Sequence, residues 1–330
     1  MKRAISILVA ALMLVGGLSA CCEPAAPSAE ESGADSVSAG SAKEFIIGCE
    51  YSTSSCVYCM NFANAIKEYG EAEGMTVLLT QANRDVYTEI SNAESMLAQG
   101  AQVVGGIWDD SDACMPVATA CAEADAWCVG LLNGLTDRAD GYEKYAYVGS
   151  ENYDGGYLQG QWLAEHLPQN AEIFYMASHD GDQQSLAREE GMLTALKDAG
   201  RDDVTVAARE DAHNNRDEGL KIMENWLQAY DNIKCVVTTA DETALPAIEA
   251  MKAADRFDGD VIVAGFDASA EAQDSIAAGE MSMSVLQDYK AQAKAFIELC
   301  IEIRDGKEPT DKIVPFSAVD ASNVADYKDY

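Results

Sequence analysis

The sequence is poor in positive charge: 22 lysines and arginines stand against 56 aspartates and glutamates, a formal net charge of −34. Loss of Lys2 and Arg3 with the leader described below leaves 20 basic residues against 56 acidic ones, a net of −36. With no Lys/Arg cluster to release counterions from a phosphate backbone, nucleic acid is excluded as a partner. The charge bears on solubility and habitat and says nothing of fold. Histidine is scarcer still. The three present, His166, His179 and His213, are widely spaced and show no ligand rhythm with the cysteines, so neither a metal nor another cofactor is expected. Also missing are a Ser/His/Asp order, a nucleophile elbow and a phosphate-cradling loop, since Gly155-Gly156 lacks the glycine fingerprint. Most enzyme classes fall away on these grounds, leaving one cysteine pair to weigh.

What is present begins with an address. Lys2 and Arg3 precede an apolar run from Ala4 to Val15 and then the small residues Gly16, Gly17, Ser19 and Ala20, the pattern of a signal peptide over residues 1–20. The run is too short to span a membrane, and it leads into a Pro/Ala/Ser/Glu stretch in place of a charged flank. Leu18-Ser19-Ala20-Cys21 resembles the bacterial lipobox. The resemblance implies cleavage before Cys21 and lipidation of that residue, which would hold the protein on the extracytoplasmic face of the cell membrane; Cys22 is not the matching position. Up to about Ala42 the chain has almost no large apolar residue with which to offset the cost of ordering, so 21–43 reads as a lipidated end and a disordered tether.

Beyond the tether, short apolar runs alternate with helical patterns. The strand candidates are Phe45 to Cys49, Thr76 to Thr80, Gln102 to Trp108, Trp127 to Leu132, Tyr145 to Val148, Glu172 to Ala177, Val204 to Ala208, Ile233 to Thr238, Val261 to Phe266 and Met283 to Leu286. Between them apolar residues recur three and four apart, as in Leu220, Met223, Leu227 and Tyr230. A β-then-α rhythm implies parallel sheets covered by helices on both faces. Ten strands are many for one open sheet, and two lobes are the natural solution. Doubly wound sheets bind ligands beyond the carboxyl ends of their strands. Tyr51, Ser52, Asp109, Asn133, Asp241, Asp267 and Gln287 fall at such ends.

A collinear series of short motifs then carries a resemblance. It comprises Asp109-Asp110-Ser111-Asp112-Ala113, Ser150-Glu151-Asn152-Tyr153-Asp154-Gly155-Gly156, Ala187-Arg188-Glu189-Glu190-Gly191-Met192, Ala240-Asp241-Glu242-Thr243-Ala244-Leu245, Val263-Ala264-Gly265-Phe266-Asp267 and Gln287 after Met281 to Leu286. Each is weak alone; in this order and spacing the chain from Phe45 to about Phe316 resembles the type I periplasmic binding proteins, in their ribose- and galactose-binding branch. The resemblance implies an α/β fold of two doubly wound parallel-sheet lobes joined by a three-segment hinge. The N-terminal lobe would be 44–149 plus 288–315 and the C-terminal lobe 150–287 plus 316–330. It further implies a monomer that closes on a sugar-like ligand and delivers it to the permease subunits of an ABC importer; a sensor feeding a membrane receptor is the alternative.

The same resemblance nominates residues. Arg188 matches the family's sugar-binding arginine, Asp267 its aspartate and Gln287 its last polar contact. Bidentate Arg and Asp suit paired hydroxyls, and rings suit the sugar's faces. In the first lobe Ser52 and Tyr58 correspond to a polar contact and a stacking aromatic, and Cys59 takes the place of a second ring. Asn214, or His213 if the loop shifts by one, falls where another wall aromatic is common, and Trp108 is a candidate for a missing face. Two positions depart from the pattern: Leu132-Asn133 replaces an acidic residue that grips hydroxyls, and Ala240 replaces an asparagine. The pocket should therefore penalise a plain ribose- or galactose-like ligand and favour a modified sugar, a polyol or a nucleoside.

Eight cysteines lie in the folded part, and several sit inside apolar runs as small hydrophobes, so mostly free thiols are expected. Cys56-Val57-Tyr58-Cys59 follows a strand and opens a helix, where a helix N-terminus lowers a thiol's pKa. Three readings stay open: a thiol-disulfide oxidoreductase, a structural disulfide, and two thiols lining the cleft. Thioredoxin-like domains are far shorter than this chain, which weighs against the first.

Overall fold

The computed structural model describes residues 44–54, 56–108, 111–135, 142–179 and 181–328. The leader, Cys21, the tether, Asp109 and Asp110 lie outside the described residues. The first sheet is built from β1 (Ile46–Tyr51), β2 (Thr76–Gln81), β3 (Val103–Gly106), β4 (Trp127–Leu131) and β5 (Tyr145–Gly149). Between them run α1 (Val57–Ala72), α2 (Val86–Ala98) and α3 (Ser111–Glu123). After α4 (Asn152–His166) the chain builds a second sheet from β6 (Glu172–Ala177), β7 (Thr205–Asp211), β8 (Cys235–Thr238), β9 (Ile262–Asp267) and β10 (Met283–Leu286). Its helices are α5 (Gln183–Asp198), α6 (Arg216–Ala229), α7 (Asp241–Ala253) and α8 (Ala270–Ala277). Then α9 (Tyr289–Arg304) and β11 (Lys312–Ile313) return to the first sheet, and β12 (Ser317–Asp320) goes back to the second.

The strand orders are β11-β5-β4-β3-β1-β2 and β12-β10-β9-β8-β6-β7. All pairings are parallel except β12 against β10. Covering both faces with helices explains why β3, β8 and β10 are buried at every residue and read as unbroken apolar or small runs. On one face of the first sheet, Ile47 and Val103 meet Phe62 of α1 and Phe296 of α9; on the other, Met96, Val117 and Cys121 close the core. Phe296 ties the late helix α9 to the early sheet.

Between the sheets the chain passes at 150–151, 287–288 and 314–316. Hydrogen bonds tie these passages together. Ser150 Oγ donates to Val314 O (2.5 Å), Gln292 Nε2 donates to Ser150 Oγ (2.7 Å), and Tyr58 Oη donates to Gln292 Oε1. A side chain at the head of α1 is thus linked through α9 to two of the three passages.

Candidate ligand-binding site

The carboxyl ends of both sheets face one cavity of about 490 Å³. From the first sheet come Ser52 after β1, Tyr58 and Cys59 on the first turns of α1, Ile107 after β3, and Leu132 and Asn133 after β4. From the second come Arg188 on α5, Asn214 after β7, Thr239 after β8, Asp267 at the end of β9 and Gln287 after β10.

Arg188 reaches the cavity because α4 and α5 touch backbone to backbone. A Cβ on Gly156 would lie 1.9 Å from Arg188 O, and one on Gly191 2.1 Å from Tyr153 O, so glycine alone permits the crossing. The guanidinium is buried, 3.7 Å above the Phe266 ring. Its Nε donates to Asn152 Oδ1 (3.0 Å), one terminal nitrogen to Thr239 O (2.8 Å) and the other to Gln287 Oε1 (2.9 Å). Burial depresses its pKa, and Asp267 opposes that effect. An arginine has five N–H donors, so two remain for a ligand.

Asp267 sits at φ +102° and Ala268 at +48°, backbone that L-residues rarely adopt. Such strain persists where surroundings enforce it, and here they are visible. Asp241 accepts from Ser269 N (2.7 Å) and from Ser284 Oγ (2.7 Å), while Ser284 Oγ accepts from Ala268 N (2.9 Å). Burial raises the Asp241 pKa to about 7. Burial also raises the Asp267 carboxyl, aided by the Asp241 charge and opposed by Arg188. Among the described residues the Asp267 side chain has no hydrogen-bond partner, and it faces the cavity.

On the first sheet's side, Cys56 and Cys59 form a disulfide, with Cys56 at the N-cap of α1 accepting from Cys59 N (3.1 Å). The two sulfurs are thus bonded to each other, and both residues line the cavity. The other six described cysteines are free and buried. Burial pushes the Cys235 thiol up to about 12, and the Cys49 thiol above that. Asn133 donates to Trp108 O (2.6 Å) and accepts from Gln184 Nε2 of the opposite wall. Tyr58 packs its ring on Phe62 and Tyr289, and burial raises its pKa.

One candidate is corrected. Trp108 is fully buried between α2 and α3, outside the cavity, with its indole lying over Gly106, where a Cβ would come within 2.3 Å of the ring. The missing side chain at Gly106 creates the slot that turns the tryptophan away from the strand ends. His213 is exposed, and Asn214 is the residue of that loop that reaches the main cavity, its Oδ1 accepting from Thr239 Oγ1 (3.1 Å). Gln184 and Asn152 were not singled out by sequence reasoning: they act through Asn133 and Arg188, and neither type nor spacing marks a helix-start amide as a second support.

Two α/β sheets whose strand ends face a shared polar cavity define a two-walled binding protein. Residues 50–308 match the periplasmic binding protein domain family, and the chain belongs to it, in the ribose-binding-like branch of the type I proteins. The ribose import binding protein RbsB of Bacillus subtilis is 28% identical over 309 residues, covering 93% of this chain and 95% of its own. A solute binding protein from Bacillus halodurans with bound myo-inositol aligns with TM-score 0.79 and 26% identity, over 88% of this chain and 99% of its own. A solute binding protein from Actinobacillus succinogenes with bound D-allose gives TM-score 0.79 at 24% identity, over 86% and 100%.

Proposed function

We propose that this protein is the extracytoplasmic substrate-binding component of an ABC importer, capturing a sugar or cyclitol between two lobes that close about the three interlobe passages. The lobes are the two sheets with their helices, 44–149 plus 288–315 and 150–287 plus 316–330. The observation that carries the reading is the pairing, in one cavity, of a guanidinium with two N–H groups and a carboxyl that have no hydrogen-bond partner among the described residues. Vicinal hydroxyls, each donor and acceptor, are what such a pair satisfies. The ligands for which those relatives and neighbours are named, ribose, myo-inositol and D-allose, share that chemistry. Binding, not catalysis, is the role that this geometry serves. Signal-peptide export and lipidation at Cys21 would place the protein beside its permease, acting as a monomer.

A thermal-shift screen against monosaccharides, cyclitols and nucleosides tests this. A ligand at a hundred times its Kd stabilises the native state by about 2.7 kcal/mol. At least one sugar or cyclitol should raise the Tm; a panel without any shift would contradict the proposal.

A further inference from the structure

The two walls of the cavity differ in the hydrogen-bonding capacity they leave for a ligand. The second sheet's wall offers the Asp267 carboxyl, the two spare N–H groups of Arg188 and the Asn214 amide nitrogen, which has no partner among the described residues. On the first sheet's wall, the buried residues are Ser52, Cys59, Ile107 and Leu132. Only one of these side chains is strongly polar, and the Ser52 hydroxyl lies 3.7 Å from Cys59 Sγ. Asn133 has spent its carbonyl on Gln184 and one N–H on Trp108 O, and the half-buried Tyr58 has spent its O–H on Gln292; Asn61 is half-buried and Arg84 exposed beside them.

Leu132 adds a second, independent sign. It sits at φ +64°, a conformation in which asparagine is several-fold enriched and branched side chains are outliers. Its backbone is clamped there: its N–H donates to Val148 O (2.9 Å) and its carbonyl accepts from Tyr147 Oη (2.9 Å). An apolar side chain is thus kept at the cavity, at a position where the backbone itself favours a polar one. Strain retained at a binding surface points to a use for the side chain.

We infer that the ligand is a monosaccharide or cyclitol with a deoxygenated or O-methylated position, which it presents to Ile107, Leu132 and the Cys56–Cys59 disulfide while its vicinal hydroxyls meet Arg188 and Asp267. A free hydroxyl against those three apolar groups would be buried without a partner, whereas a methyl or methylene group gains contact there. The inference rests on the sugar-binding reading above and sharpens it to a substrate class.

Calorimetric titration of the purified protein with matched pairs tests it: D-galactose against its 6-deoxy form and myo-inositol against 5-O-methyl-myo-inositol, with adenosine as a further probe. In at least one pair the substituted member should bind more tightly by about tenfold or more, the cost of one unpaired buried hydroxyl. Leu132→Asn, which relaxes the backbone and restores a hydroxyl partner, should narrow that ratio about tenfold. Parents binding as tightly as their substituted partners in every pair that binds, or adenosine binding tightest, would overturn the inference while leaving small-molecule capture intact. If no probe binds at all, the sugar-binding reading itself fails and takes the inference with it. An unchanged ratio in Leu132→Asn, with the fold retained by thermal unfolding, also overturns it.

Discussion

Asp241→Asn should remove a large part of the protein's pH-dependent stability. Asp241 is fully buried, and burial raises its pKa from 3.8 to about 7 against the lowering pull of the Ser284 hydroxyl and the Ser269 amide. Between those values the folded chain holds a proton that the unfolded chain has released. The stability tied to this group is therefore fully present below pH 4 and is lost as pH rises towards 7, by about 1.4 kcal/mol per pH unit. Over the whole window this amounts to on the order of 4 kcal/mol. Part of it belongs to the pair, because the Asp267 carboxyl is pushed up as well and each repels the other's charge. Asn keeps an acceptor for the Ser269 N–H and cannot titrate. Urea unfolding of both proteins from pH 4.5 to 7 isolates the effect, since groups common to both, such as Asp203 with its pKa lowered to about 2 by Arg201, cancel in the difference. The variant should gain stability relative to wild type as pH rises. Parallel pH profiles would refute the reasoning.

Three further outcomes follow from the packing. Gly156→Ala drives a methyl against Arg188 O, so it should cost about 3 kcal/mol of stability and weaken ligand binding by displacing the guanidinium, read by urea unfolding and calorimetry. Reducing the Cys56–Cys59 disulfide should lower stability by about 2 kcal/mol, the loop entropy of so short a bridge; a thiol titration of the native protein should then find two new reactive groups, with the six buried cysteines silent until unfolding. Trp108→Phe should leave ligand affinity unchanged and cost about 2 kcal/mol or less, because the indole lies in the core and its buried Nε1 has no partner among the described residues.

Much of the fold was legible because its strands are covered on both faces. Each of the ten apolar runs overlaps an observed strand, and two match residue for residue, Glu172–Ala177 and Met283–Leu286. The β7 strand runs beyond its apolar stretch through Arg209-Glu210-Asp211, since an edge strand can carry charge, here with Arg209 bonded to Glu189 (3.0 Å) and Asp211 (2.9 Å). Two strands escaped: Lys312–Ile313 is too short to show a period, and Ser317–Asp320 follows Pro315 and is half polar. At the cavity, Arg188, Asp267, Gln287, Ser52 and Asn133 could be nominated because strand ends and a motif series mark them. Trp108 was misplaced because the same strand-end rule applies to it, and only the slot over Gly106 overrides that rule. The strained backbone at Leu132 and Asp267 was invisible, since leucine does not announce a positive φ and an aspartate at a strand end reads equally as a helix cap.

Calorimetric titration of the best ligand from the screen into wild type and Asp267→Ala tests the central claim most directly. The Asp267 side chain has no hydrogen-bond partner among the described residues, so its loss should spare the fold, while removing charge-assisted hydrogen bonds worth about 1.5–3 kcal/mol, a tenfold to hundredfold rise in Kd. Equal Kd values in the two proteins would contradict the account.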